Sequence, residues 1–171
     1  MRKKPECNHS GFLFAINFET KRKICQIFLH LKTREPKSME DTIKIYLADD
    51  HQILLDGIQI LLQTIPNFEV VGVSLSGANL YQEVIDSKAE ILILDLNMPE
   101  KDGIEVIKEF AQNGIPCKVI ILSSFDDLKL IKEVMRLGAN GYLTKKCAGE
   151  NIVEAIFAVR NDENYFCRSV R

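Results

Sequence analysis

No C-x-x-C pair occurs among the five cysteines, Cys7, Cys25, Cys117, Cys147 and Cys167. An odd set without that spacing suggests neither a disulfide framework nor a zinc site, and reads as reduced thiols. Long apolar runs are missing too. "GFLFAINF" (11–18) and "ICQIFLHL" (24–31) are too short and too interrupted to span a bilayer, and no small-residue cleavage site follows either. Neither a membrane span nor an export signal is therefore expected, and a cytoplasmic location is. Positive charge is scarce where a nucleic-acid binder would need it. Residues 1–38 hold nine Lys or Arg against three Glu, a surplus of +6, so the formal net charge of -2 leaves -8 on the remainder. That acidic balance argues against a broad nucleic-acid surface there.

What remains is a chain of 171 residues, 46% hydrophobic and 27% charged, enough for one globular domain with a sizeable core and some extra length. From residue 43 onward, short apolar runs alternate with helical periodicity. "IKIYLA" (43–48), "FEVVGV" (68–73), "ILILD" (91–95), "CKVIILS" (117–123) and "GYLT" (141–144) read as five strands. Apolar residues three or four apart mark the helices between them. They are Leu54, Ile58, Leu61 and Ile65; Leu80 and Val84; Ile104, Ile107 and Ala111; Leu128, Ile131 and Met135; and Ile152, Ile156 and Val159. Strands apolar on both faces need cover on both, and right-handed crossovers supply it, so the expected fold is a doubly wound parallel sheet between helices. In such a fold the site lies beyond the carboxyl ends of the strands, near the switch in strand order.

Three carboxylates fall at those ends. Asp49 and Asp50 follow the first strand, and Asp95 ends the third. Unpaired, they would repel, and at least one would take up a proton. A hard divalent cation resolves this, and Mg2+ favours carboxylate and carbonyl oxygens with retained water. Ser123 and Ser124 end the fourth strand, and Lys145 follows the fifth. A hydroxyl and an ammonium facing a magnesium-bound aspartate supply donors for phosphoryl oxygens, so the set fits phosphoryl transfer onto Asp95. Each residue alone has a plainer reading: Asp49, Asp50 or a serine as a helix cap, Lys145 as a solvated lysine. Their joint placement at the ends of strands one, three, four and five favours one site.

"DD" after the first strand, "LDLNMPEKDG" at the third, a serine after the fourth and "GYLTK" at the fifth match in order and spacing. In these motifs residues 42–165 resemble the receiver domain of bacterial two-component response regulators. "DDH", Lys145-Lys146 and "AVRNDENYF" are most similar to the NarL/FixJ-type subgroup, in which a receiver precedes a LuxR-type helix-turn-helix domain. The resemblance implies a flavodoxin-like (βα)5 fold, three layers α/β/α, with strand order 2-1-3-4-5. It implies a receiver over 42–162 and a linker remnant over 163–171; the basic stretch over 1–41, outside the alternating pattern, reads as a poorly ordered extension, with a flexible arm, a short basic helix or an upstream extension from an early start as its forms. Asp95 would take the phosphoryl group from a sensor histidine kinase. Asp50, Asp95 and the carbonyl of Asn97 would bind Mg2+, with Asp49 acting through water. Lys145 would contact the phosphoryl oxygens, Ser123 would move to bond one, and Tyr142 would turn inward. Met98, Pro99 and Gly103 would shape the loop. The only catalysis implied is the receiver's own phosphorylation and dephosphorylation, and homodimerisation would accompany phosphorylation.

Lys145-Lys146 stands where many receivers have Lys-Pro, so a cis-proline turn is not assumed. The stretch "NDENYFCRSVR" after the last helix is too short for a DNA-reading helix. Direct DNA binding is therefore not expected of this chain, whether it is a stand-alone receiver or part of a DNA-binding transcriptional regulator. Two other classes share features of the pattern. A haloacid-dehalogenase-like phosphatase needs a second Asp two residues after the nucleophile, and that position is Asn97. A flavin or nucleotide module needs a Gly- or Ser/Thr-rich loop after strand one, and "ADDHQ" would repel phosphate.

Overall fold

The structure, a computed structural model, describes residues 42–167. The expected basic extension over 1–41, including the order of residues 1–38, lies outside them. β1 (Ile43–Ala48), β2 (Phe68–Ser74), β3 (Ile91–Asp95), β4 (Lys118–Ser123) and β5 (Gly141–Thr144) alternate with five helices. These are α1 (Gln52–Gln63), α2 (Leu80–Ser87), α3 (Gly103–Asn113), α4 (Leu128–Arg136) and α5 (Ala148–Arg160). All strand pairings are parallel, and the order 2-1-3-4-5 is as expected. A sixth strand, β6 (Tyr165–Phe166), extends the sheet beyond β5. It lies in the stretch read above as a linker remnant. Two residues carry no periodicity, so only the pairing of Tyr165 N–H with the Asn140 carbonyl and of Cys167 N–H with that of Tyr142 reveals it.

The alternation of the strands divides the core into two. Tyr46 and Ala48, Leu92 and Leu94, Val119 and Ile121, and Tyr142 face one side, where Leu80, Val84, Val106, Ile107, Phe110, Ile131 and Val134 of α2, α3 and α4 cover them. On the other side α1 and α5 pack together, and the Phe68 and Phe157 rings lie 5.1 Å apart. Every residue of β3 is buried, because it is the middle strand of a sheet covered on both faces.

The expected helical stripes are shifted at several places. In α1 the buried residues are Leu55, Ile58 and Leu62, while Leu54 and Leu61 are half-buried. Adjacent leucines at both positions left the register open to two readings. In α3, Val106, Ile107 and Phe110 are buried and Ala111 is exposed; in α4, Ile131 and Val134 are buried while Leu128 is exposed. A capping box starts α3: the Asp102 side chain accepts from Glu105 N–H at 2.8 Å, and the Glu105 side chain accepts from Asp102 N–H at 3.2 Å. No described helix is long and apolar enough to cross a membrane.

Gly103 opens α3 against the backbone of β3. A Cβ there would strike the Asp95 carbonyl and Leu96, so the close approach, and not an unusual φ, requires glycine. Gly57, in the middle of α1, has open space around its Cα. Urea unfolding should therefore give opposite signs: Gly103→Ala is expected to lose about 1–3 kcal/mol, and Gly57→Ala to gain roughly 0.5–1 kcal/mol. Equal effects at the two positions would contradict this packing.

Candidate functional site

Among the described residues, the buried polar or charged side chains are Asp49, Asp95, Ser123 and Thr144. Each stands at the carboxyl end of a central strand: Asp49 just after β1, Asp95 at the end of β3, Ser123 of β4 and Thr144 of β5. The registers align these ends. Ala48 pairs with Leu94, Asp95 with Leu122, and Ser123 with Thr144. The expected convergence of the first, third, fourth and fifth strands on one edge is thus observed.

Lys145, the residue after β5, bridges the two buried carboxylates. Its Nζ lies 2.8 Å from Asp49 Oδ2 and 2.9 Å from Asp95 Oδ2. Its backbone N–H donates to the Ser123 carbonyl at 2.7 Å, which fixes the turn that aims the side chain. Burial opposes the lysine's charge, but its close pairing with the Asp49 and Asp95 carboxylates outweighs this and raises its pKa. Asp95 is also raised. Its complete burial is the main cause and Asp49 adds to it, against the opposing Lys145 hydrogen bond and the Asn97 backbone N–H.

The helix-capping alternatives do not hold. α1 is capped at His51 without a side-chain bond, and α4 is capped by Asp127, whose carboxylate accepts from Lys129 N–H. Asp49 Oδ1 instead accepts from the backbone N–H of His51 at 2.8 Å, and Ser123 Oγ from that of Phe125 at 3.2 Å. Asp50 and Asn97 are exposed beside the buried pair. The Asn97 N–H faces the Asp95 carboxylate.

Tyr142 was expected to turn inward on phosphorylation. Its ring is fully buried, with its hydroxyl donating to the Phe125 carbonyl at 2.8 Å. It stands on the sheet face that α4 covers, and burial raises its pKa.

Sequence reasoning gave His51 no role. Its Nδ1 stands 2.9 Å from Asp49 Oδ1, 2.6 Å from Asp50 Oδ1 and 3.4 Å from Lys145 Nζ. The signal was in "DDH": a residue two beyond a strand-end Asp, at the mouth of the next helix, reaches back to that edge.

Asp49, Asp50, His51 and Asp95 each offer a ligand atom, all within 4.8 Å of one another. Asp95 Oδ1 is buried without a hydrogen-bond partner, and Asp49 Oδ2 has only its ion pair with Lys145, outside hydrogen-bond geometry. Three carboxylates against one ammonium leave negative charge uncompensated. Such a donor set fits a divalent cation.

The response regulator receiver domain family model matches residues 45–157. The transcriptional regulatory protein DegU of Brevibacillus brevis is 32% identical over 126 residues, 74% of this chain and 53% of that protein. The oxygen regulatory protein NreC of Staphylococcus aureus (strain NCTC 8325 / PS 47) is 34% identical over 124 residues, 72% of this chain and 57% of that protein. This chain therefore spans about half the length of the curated relatives it matches. Among solved structures, the isolated REC domain of RcsB from Salmonella enterica serovar Typhimurium, with the phosphomimetic BeF3-, superimposes with a TM-score of 0.70. It is 28% identical, and the match covers 75% of this chain and 96% of that one.

Removing the bridging cation should expose the repulsion it masks. In the presence of chelator at neutral pH, Lys145→Met is expected to lose about 3–5 kcal/mol of stability, because it strands two buried carboxylates. The loss should shrink as pH falls, since protonating one carboxyl relieves the pair. A pH-independent loss below about 1 kcal/mol would show that the bridge contributes little.

Proposed function

This chain belongs to the response regulator receiver domain family, and on that premise we propose that Asp95 accepts a phosphoryl group from a sensor histidine kinase. The carrying observation is Asp95 itself: fully buried at a strand end, one oxygen paired with Lys145 and the other without a partner. The N–P bond of a phosphohistidine breaks as an O–P bond to the Asp95 carboxylate forms, giving a mixed anhydride. Lys145, released from part of its pairing with Asp95, follows the new phosphoryl oxygens, and the Ser123 hydroxyl turns from Phe125 N–H to donate to one of them.

Asp50, Asp95 and the Asn97 carbonyl are the residues we assign to Mg2+, with Asp49 behind them. A bound Mg2+ supplies positive charge to the phosphoryl oxygens during transfer. Hydrolysis of the anhydride by water is the only turnover we assign. Asn97 supplies no second acid as a dehalogenase-like phosphatase requires.

Phosphorylation adds charge and acceptor oxygens that draw the loop after β4 inward. Tyr142 is buried with its hydroxyl on the Phe125 carbonyl, and phosphorylation shifts an equilibrium between two arrangements of that loop. The responsive surface runs over the loop after β4, α4, β5 and the neighbouring β6, where Phe125, Leu128 and Phe166 expose apolar area. A second copy of the chain docking there on phosphorylation is the partner we assign. The output is control of transcription, as the DegU relative's name suggests, exerted in the cytoplasm without direct DNA contact from these residues.

Two measurements test this. Incubation with Mg2+ and acetyl phosphate should add one phosphoryl mass, labile to hydroxylamine, to the unmodified chain and none to Asp95→Asn; a hydroxylamine-labile phosphate on the variant would place the site elsewhere. At Mg2+ a hundredfold above its Kd, unfolding should be harder by about 2.7 kcal/mol. That gain should fall more in Asp50→Ala than in Asp49→Ala, and equal losses would count against the assigned ligands.

A further inference from the structure

Cys147 and Cys167 are separated by 20 residues in sequence, yet their sulfur atoms are in contact, with Cα atoms 6.9 Å apart. Nothing in the phosphoryl site uses them. Cys147 is the N-cap of α5, two residues beyond Lys145, and is half-buried; Cys167 follows β6 and is 3% exposed. What brings them together is the sixth strand, whose last pairing bond runs from Cys167 N–H to the Tyr142 carbonyl at 3.1 Å.

We infer that Cys147 and Cys167 form a reversible dithiol–disulfide site, oxidised by peroxides, that fastens β6 to the turn carrying Lys145. The reduced form is provided for. The Cys147 thiol donates to the Thr144 carbonyl at 3.3 Å, and the Thr144 hydroxyl donates to its sulfur at 3.3 Å. The hydroxyl contact survives loss of the S–H, so oxidation strands no donor. The Cα separation lies just beyond the usual span of a disulfide. The small approach required falls on a two-residue edge strand held by few backbone bonds, which can move without disturbing the central sheet.

The chemistry balances with hydrogen peroxide as oxidant. The sulfur of Cys147, the more exposed of the two, attacks one peroxide oxygen; the O–O bond breaks and water leaves, giving a sulfenic acid. The sulfur of Cys167 then attacks that sulfur; the S–S bond forms, the S–O bond breaks and a second water leaves. The two thiols give up two electrons and two protons, and the peroxide takes both. Cys117 provides an internal comparison, since burial pushes its thiol up to about 12 and keeps it protonated.

The test uses the full chain, reduced and then treated with equimolar hydrogen peroxide, with the remaining thiols blocked and the peptides mapped by mass spectrometry. The expected product is a peptide carrying Cys147 linked to one carrying Cys167, reversed by dithiothreitol, while Cys117 remains a thiol. Amide exchange at Cys167 should slow at least tenfold in the oxidised chain, because the link closes the edge strand. In Cys167→Ser, dimedone should trap a sulfenic acid at Cys147; in Cys147→Ser it should trap none at residue 167, which is buried. Pairing of either cysteine with another cysteine or a second chain, both remaining free, or a link that leaves the Cys167 amide exchange unchanged would each overturn the inference.

Discussion

One ammonium between two buried carboxylates holds the working end of this domain together. At about 2.8–2.9 Å from each oxygen, Lys145 has a gross attraction of roughly 6 kcal/mol per pair at an effective dielectric of about 20. Desolvation of the three groups offsets most of that, yet removing the ammonium alone would strand both buried carboxylates. The bridge leaves the edge poised. Asp95 keeps an oxygen without a hydrogen-bond partner, Asp50 stays exposed with the His51 ring against it, and the counter-charge sits on a flexible stem.

The rest of the fold serves to bring those groups to one place. A parallel sheet directs all its carboxyl ends one way, and the register of β1, β3, β4 and β5 sets Asp49, Asp95, Ser123 and Thr144 side by side. Burial of β3 on both faces denies Asp95 the water that would stabilise its charge, which is why its pKa rises despite Lys145. Gly103 lets the loop return so close to β3 that α3 begins against the Asp95 carbonyl. Ser123 and Tyr142 connect this edge to α4: Ser123 accepts the N–H of Phe125, and Tyr142 donates to the carbonyl of the same residue. One residue in the loop after β4 is thus held from two sides, and a shift of Ser123 reaches both.

Most of this was legible in the sequence because it rests on strong local signals. Apolar strands such as "ILILD" and the strand-end acids state the parallel sheet and its active edge together. What was not legible depended on tertiary choice. The leucine pairs Leu54–Leu55 and Leu61–Leu62 permit two helical faces, and only packing on β2 and α5 selects one. β6 is too short for a periodic signal, and with it went the approach of Cys147 to Cys167. His51 was visible as a letter in "DDH" but not as a partner of the acids, since its reach toward Asp49 and Asp50 depends on how the chain turns into α1.

On the proposed function, occupancy at Asp95 is transmitted through Ser123 and Tyr142 to α4 and beyond. Amide NMR of the chain with Mg2+, before and after addition of beryllofluoride as a stand-in for the phosphoryl group, reads this residue by residue. Shifts should spread from Asp95 through Ser123 and Tyr142 into residues 126–160. In Ser123→Ala the distant shifts should be blunted while Mg2+ still binds. Changes confined to the loop around Asp95 in the unmutated chain would contradict this transmission, showing a site that takes the group without switching.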